Sequence, residues 1–122
     1  MATRIPDADC TASALFDVLW SELADVIGPT ATAALMQRSV KRALPREPEL
    51  GELVIARDGF MYTYSTPPSW SEAGTTAHAA LARVVAELWP LLSELTGGVV
   101  TRRLRNQPLL RKCGVIPREA QS

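Results

Sequence analysis

The fold of this chain is decided by one stretch of its sequence, Thr75-Thr-Ala-His-Ala-Ala-Leu-Ala-Arg-Val-Val-Ala-Glu-Leu-Trp-Pro-Leu-Leu-Ser-Glu-Leu95. Its leucines and valines recur at spacings of three and four residues, which is the period of a helix with one broad apolar face. Thr75 or Thr76 can cap the start of this helix, and Gly97-Gly98 can end it. Pro90 lies inside the pattern and predicts a kink in one helix rather than a boundary between two. No other segment is as long or as apolar, so we expect the rest of the chain to pack on this central helix.

Two helices precede the central helix. The first is predicted from residue 11 or 13 to residue 27, and the second from residue 30 to about residue 44. Gly28-Pro29 separates them, because glycine ends helices and proline suits the first turn of the next one. A link this short predicts that the two helices form an antiparallel hairpin.

The only clear β pattern follows, in residues 52–65. Two alternating strands, 52–57 and 60–65, flank Asp58-Gly59, the dipeptide preferred in a two-residue type I′ turn. With that turn, three facing pairs share one side of the hairpin: Leu53 with Tyr64, Ile55 with Tyr62, and Arg57 with Phe60. We expect this aromatic side to cover the central helix. Only Val99-Val100 could supply a third strand, so the hairpin keeps open edges that a second copy of the chain could pair.

Beyond the central helix, residues 99–107 suit a short helix, and Pro108 suits the start of another that ends near Gly114. The whole pattern predicts a mostly helical α+β fold: a helical hairpin, one antiparallel β-hairpin, a long central helix and short C-terminal helices. We expect a single compact domain over residues 11–117, with a flexible lead-in at 1–10 and a frayed tail at 118–122.

Length and composition indicate a globular protein. The chain has 122 residues, 47% of them hydrophobic, and thirteen basic residues balance thirteen acidic ones. This composition speaks against general disorder, and the balanced charge provides no overall electrostatic attraction to nucleic acid or to an anionic membrane. Without a signal peptide or an apolar run of about 18 residues, we expect a cytoplasmic protein with no membrane partner. Eleven of the thirteen basic residues are arginine, which is typical of a GC-rich bacterial genome.

The two cysteines, Cys10 and Cys113, lie near opposite ends of the sequence. They show no CxxC spacing, and His78 is the only histidine. The pattern therefore predicts neither a zinc site nor a disulfide framework. For His78 the sequence identifies no partner in proton transfer. We expect no catalytic residues, no metal and no cofactor, and an enzyme is the less favoured class.

Part of the helical hairpin resembles a helix-turn-helix. Residues 23–28 look like the first helix and turn glycine of that motif, and a basic stripe follows at Arg38, Lys41 and Arg42. Gln37, however, stands where the motif places a bulky core residue. An ordinary helical hairpin with a basic outer stripe is the favoured interpretation.

A basic segment without acidic residues lies between residues 99 and 118. Guanidinium groups bind phosphates and carboxylates in a forked geometry, so this segment could bind nucleic acid or another anionic ligand. Its alternative role, which we favour, is a solvated face that complements the acidic side of the first helix, at Asp17, Glu22 and Asp25. The candidate ligand-binding residues are Arg102, Arg103, Arg105, Arg111 and Lys112.

Taken together, these patterns favour a small non-enzymatic interaction or regulatory protein that forms a homodimer and recognises another protein. The candidate interface residues are apolar or aromatic: Leu53, Ile55, Phe60, Tyr62, Tyr64 and Trp70. A binder of nucleic acid or of an anionic ligand, acting through the basic segment, is the first alternative. A small enzyme whose site is completed across a dimer interface is the second.

Overall fold

The structure, a computed structural model, describes residues 10–59, 61–71 and 75–116. The described residues form four helices and one small two-stranded sheet. In chain order the elements are α1 (Ala12–Ala43), β1 (Val54–Asp58), β2 (Met61–Ser65), α2 (Thr75–Thr96), α3 (Val99–Arg105) and α4 (Pro108–Cys113), with short 3₁₀ turns at Pro48–Glu52 and Pro68–Ser71. The prediction of a mostly helical α+β fold with one antiparallel β-hairpin is confirmed.

Helix α2 is the predicted central helix, and it continues through Pro90 as one element. Its apolar face packs against α1 and is buried over the middle of the helix. The fully buried residues of that face are Leu81, Val84, Val85, Leu88 and Leu92. The predicted face extends too far, however, because Leu95 is 60% exposed at the C-terminal end. Val99 and Val100, considered for a third strand, belong to α3.

Helix α1 contains the break that was predicted between two helices. Gly28, with φ 85° and ψ 161°, is the one residue inside it with non-helical dihedral angles, and this positive φ favours glycine. The hydroxyl of Thr32 bonds across the break by donating to the Gly28 carbonyl at 2.7 Å. A helix-turn-helix requires a turn of about three to four residues, so the single-residue break contradicts that resemblance. Both halves of α1 contribute to one hydrophobic core.

The β-hairpin forms in a register two residues away from the predicted one. Ile55 lies opposite Tyr64, and Arg57 lies opposite Tyr62. The two-residue loop is therefore Gly59 with the residue after it, and φ at Gly59 is +67°, as the first position of a primed turn requires. A shift of two residues keeps the described strand residues on their predicted faces, because side chains alternate with a period of two. The predicted partner of Arg57, Phe60, lies outside the described residues.

The hairpin packs on α1, whereas it was expected to cover the central helix. The Tyr64 ring contacts Phe16, at 4.9 Å between centroids, and Trp20, at 4.8 Å. Its hydroxyl donates to Asp17 Oδ1 at 2.6 Å, and Gln37 Nε2 donates to the Ile55 carbonyl at 3.1 Å. The first half of α1 thus carries the aromatic surface that matches this side of the hairpin, while the apolar face of α2 is occupied by α1 and α3.

A disulfide joins Cys10 to Cys113, with 5.6 Å between the Cα atoms. The spacing of the two cysteines did not predict this bond, which ties Cys10 to the end of α4. The fold brings the start of α1 beside the end of α4, although the two residues are 103 positions apart in sequence. The Cys113 carbonyl also accepts a hydrogen bond from His78 Nε2 at 2.7 Å, which connects α4 to α2.

Candidate functional site

The β-hairpin has one half-buried side and one exposed side. The side that faces α1 carries Ile55 and Tyr64, which are half-buried. On the opposite side Val54 is 53% exposed and Met61 is 67% exposed. This exposed side, called the outer face below, consists of Val54, Ala56, Asp58, Met61, Thr63 and Ser65. Asp58, beside the turn, is its only charged residue.

The hydrogen bond between Gln37 and Ile55 reveals which backbone groups of the hairpin point away from it. Because the Ile55 carbonyl bonds Gln37, it points away from β2, so Ile55 and Tyr64 form a pair that is not hydrogen-bonded across the ladder. Arg57 and Tyr62, two positions along, form a pair of the same kind. The amide and carbonyl groups of Tyr62 and Tyr64 therefore point to the outer edge of β2.

The two edges of the sheet differ. The edge of β1 lies beside the second half of α1, where Gln37 satisfies the Ile55 carbonyl and a cavity of about 310 Å³ separates Lys41 from Leu53. At the edge of β2, the described residues provide no hydrogen-bond partner for the backbone of Tyr62 or Tyr64. The sequence predicted open edges for the hairpin, but not that the backbone groups of Tyr62 and Tyr64 lie at one of them, since the register was predicted differently.

The structure divides the predicted interface residues into two groups. Trp70 is fully buried, and its Nε1 donates to Glu49 Oε2 at 2.7 Å. Leu53 is also in the core, at 7% exposure. These two side chains therefore offer little surface to a partner. Ile55, Tyr62 and Tyr64 are half-buried in the hairpin, and the sixth, Phe60, lies outside the described part of the chain.

The Tyr64–Asp17 pair was not found from the sequence, because 47 positions separate the two residues. Burial raises the pKa of the Tyr64 phenol well above its ordinary value, and the hydrogen bond to Asp17 and the charge of that carboxylate raise it further. The Tyr64 hydroxyl therefore stays protonated at neutral pH and donates a hydrogen bond to Asp17. This pair fixes the hairpin on α1 and is suited to neither proton abstraction nor nucleophilic attack.

Within the basic segment, Arg103 pairs with the acidic side of α1. Its Nε bonds Glu22 at 2.6 Å and its Nη2 bonds Asp25 at 3.0 Å. The hydrogen bond to Glu22 raises the pKa of Arg103 against a smaller opposing effect of desolvation, and the charges of both acids add to it. For Arg103, the favoured interpretation as a face complementary to α1 is confirmed. Asp17, the third predicted acid, contacts Tyr64 instead.

Two of the five predicted ligand-binding residues come together. Arg105, which lies over the Trp89 ring at 5.4 Å, and Arg111 line one open cavity of about 350 Å³. The rest of its lining is Asn106, Leu110, Gly114 and Ile116. Arg102 and Lys112 are exposed and do not line this cavity.

Among the described residues, we identify no group of side chains arranged for catalysis or for metal binding. His78 bonds the Cys113 carbonyl, which is not a group that exchanges protons in catalysis. Over residues 10–59, 61–71 and 75–116, no three His, Cys, Asp or Glu side chains are grouped so that they could hold a metal ion. The helices in those ranges are also too short or too polar to cross a membrane.

The geometry thus leaves the β2 edge with the adjoining outer face, and the arginine-lined cavity, as candidate sites. Comparison with known proteins gives no match: no family model, no curated protein and no solved structure is similar to this chain.

Proposed function

We propose that this is a small non-enzymatic interaction protein that acts as a homodimer and uses its β-hairpin to associate. The observation that carries the proposal is the edge of β2, where the backbone groups of Tyr62 and Tyr64 have no partner among the described residues. Addition of a strand at such an edge is a common mode of protein recognition, in which main-chain hydrogen bonds supply the affinity.

The composition of β2 supports the same proposal. Proteins commonly protect free edges with proline, with lysine or with other charged side chains. β2 reads Met-Tyr-Thr-Tyr-Ser and contains none of these, whereas β1 carries Arg57 and Asp58. A two-stranded sheet is also marginally stable by itself, so a further strand would stabilise it. β2, the strand that lacks protective side chains, is thus also the strand whose outward backbone groups have no partner among the described residues.

Sedimentation equilibrium combined with hydrogen exchange tests the homodimer. We expect a dimer mass at micromolar concentrations, with slow exchange at the amides of Tyr62 and Tyr64 that becomes fast on dilution. The inward-pointing amide of Thr63 serves as the internal control, because its exchange should change less with dilution. A monomer mass over the same concentration range, with fast exchange at both tyrosines, would refute the proposal.

Recognition of another protein is the second half of the proposal, and the outer face, where Asp58 is the only charged residue, supports it. Met61 lies exposed there on β2, the strand with the open edge, and Val54 lies exposed on β1, opposite Ser65. A tagged chain that carries Met61→Glu should lose a partner that the wild type retains in extracts of the native cell. Leu95→Glu is the matched control, since Leu95 is exposed to a similar degree at the end of α2. Equal loss from both variants would contradict a role of the outer face.

A second candidate function, binding of an anionic ligand, rests on the cavity between Arg105 and Arg111. Two guanidinium groups, an amide from Asn106 and an apolar floor would suit a small phosphate or carboxylate compound. Titration with pyrophosphate, followed by NMR, should then shift signals around the cavity in the wild type and in Arg102→Gln, but not in Arg111→Gln. Equal shifts in both variants would indicate binding by general charge alone. The described residues contain no cluster of side chains that supports the other alternative, an enzyme whose site is completed at a dimer interface.

The cytoplasmic location that the sequence suggested stays a prediction, and the disulfide argues against it. Cytosolic proteins keep their thiols reduced, whereas disulfides persist in oxidising compartments. A thiol titration of the protein as isolated from its native compartment would decide between the two. Two reactive thiols would favour the cytoplasm, and none would favour an oxidising compartment.

A further inference from the structure

We infer that two copies of the chain pair their β2 strands antiparallel about a twofold axis at Thr63, which produces a four-stranded sheet in the order β1, β2, β2, β1. The inference rests on the proposed homodimer and specifies its geometry. It follows from the positions of the open backbone groups on β2 and from the length of that strand.

The open groups restrict the possible registers. Residues that point their amide and carbonyl outward must face each other across the new interface, because such a pair exchanges two hydrogen bonds. On β2 these residues are Tyr62 and Tyr64, two positions apart. If the axis passes at Thr63, Tyr62 faces the partner's Tyr64 and Tyr64 faces the partner's Tyr62. Both pairs then bond, which gives four intermolecular hydrogen bonds.

The length of β2 selects this register over its neighbours. β2 has five residues, Met61–Ser65, and Thr63 is the central one. With the axis at Thr63 every residue of the strand lies opposite a residue of the partner strand. With the axis at Tyr62 or Tyr64 the bonding parity would be preserved, but part of each strand would extend past the other. The register centred on Thr63 is therefore the one that pairs the whole strand.

Side chains are compatible with this arrangement. Facing residues of an antiparallel pair project to the same side of the sheet, so each Tyr62 is a cross-strand neighbour of the partner's Tyr64. Aromatic cross-strand pairs of this kind stabilise sheets. Thr63 is exposed on the outer face, where it would meet the partner's Thr63 at the axis. Both α1 helices would lie on the tyrosine side, which leaves the two outer faces joined into one.

A cysteine at the axis tests the register. The native cysteines are both in the Cys10–Cys113 disulfide, so Thr63→Cys introduces the single free thiol of the chain. Residues that face each other without hydrogen bonds have Cα atoms about 4.5 Å apart, which is within the range for a disulfide. We expect mild oxidation to convert most of this variant to a covalent dimer.

Variants elsewhere on β2 provide the controls. Met61→Cys alone should form little covalent dimer, because its two copies would lie about 13 Å apart along the strands. A mixture of Met61→Cys and Ser65→Cys chains should form the mixed dimer, since these two positions face each other in the same register. Equal cross-linking of Met61→Cys and Thr63→Cys would overturn the register.

A charge at the axis provides a test that needs no cross-link. Thr63→Lys would place two like charges opposite each other, and we expect at least about a tenfold weaker dimer by sedimentation. Ala56→Lys adds the same charge to the same outer face, directly opposite Thr63 within one copy but one strand farther from the axis. It should weaken the dimer by less than about twofold, because screening reduces the repulsion over that distance.

The outcomes separate this inference from the proposed function. A stable wild-type dimer without a Thr63→Cys cross-link, or with equal effects of the two lysine variants, overturns the register and leaves the homodimer intact. A monomeric wild type overturns both.

Discussion

The Cys10–Cys113 disulfide provides a perturbation whose effect on stability follows from the structure. It joins two residues with a sequence separation of 103, so it closes almost the whole chain into one loop. The chain-entropy relation gives an entropy of about 16 cal/mol/K for a loop of this length, or about 4.7 kcal/mol at 25 °C, removed from the unfolded state. Because measured effects are commonly smaller, we expect loss of the disulfide to lower the free energy of unfolding by about 2–5 kcal/mol.

The effect should concentrate at the two ends of the fold. Cys10 precedes Thr11, which caps α1 by accepting a hydrogen bond from the amide of Ala14. Cys113 ends α4, and its carbonyl binds His78 on α2. After reduction we expect faster amide exchange in α4 and in the first turn of α1. The middle of α2 should remain protected, because its buried side chains do not depend on the disulfide.

Urea unfolding will measure the change in three samples: the oxidised wild type, the reduced wild type, and a Cys10→Ser/Cys113→Ser variant. We expect the latter two to unfold at urea concentrations lower by about 1–2 M and with larger m values, since the open chain exposes more surface. Reductant should not affect the double variant, which controls for side effects. If thiol titration proves reduction and the free energy of unfolding still changes by less than about 0.5 kcal/mol, the loop-closure argument is refuted.

Three further predictions concern single side chains. Leu88→Ala should lower the free energy of unfolding by about 2–5 kcal/mol because Leu88 is fully buried in the middle of α2; wild-type stability in urea would contradict the described packing. Gly59→Val should disturb the hairpin and leave the helices intact, because φ at Gly59 is +67°; native amide exchange throughout β1 and β2 would be the contrary result. The wild type should lose stability as the pH rises above about 10, because the unfolded chain then releases the Tyr64 proton while the folded chain retains it. Burial and the hydrogen bond to Asp17 raise the pKa of Tyr64 in the folded chain. Tyr64→Phe should lose less over the same range, and identical pH profiles of melting temperature would show that Tyr64 is not the cause.

Most of the secondary structure could be predicted because it depends on neighbouring residues. The apolar spacing in α2, the glycine break in α1 and the proline at the start of α4 all act within a few positions of the chain. Backbone preferences and helical periodicity are local effects, so they can be recognised in a single sequence. The two faces of the hairpin were also predicted correctly, because the alternation of side chains survives a register shift of two.

The candidate site depended on contacts between residues far apart in the sequence, which local sequence patterns do not reveal. The shift from an Asp58-Gly59 turn to a loop that begins at Gly59 changed which residues face each other. Only the bond from Gln37 to Ile55, across 18 positions, showed which backbone groups of the hairpin point outward. Trp70 was a candidate interface residue because it is aromatic, but it is fully buried in the core that the distant helices form. A side chain's exposure is set by its neighbours in space, which composition cannot supply.

The sequence by itself determined the class of fold, the order of its helices and strands, and the sides of α2 and of the β-hairpin that become buried. Only the tertiary structure decided that the hairpin packs on α1, that Cys10 reaches Cys113, and that Arg103 is the residue of the basic segment that contacts Glu22 and Asp25. These contacts join residues tens of positions apart, so they form only when whole elements are brought together. Local preferences fix each element over a few residues, whereas the contacts between elements depend on how all the apolar faces are buried at once.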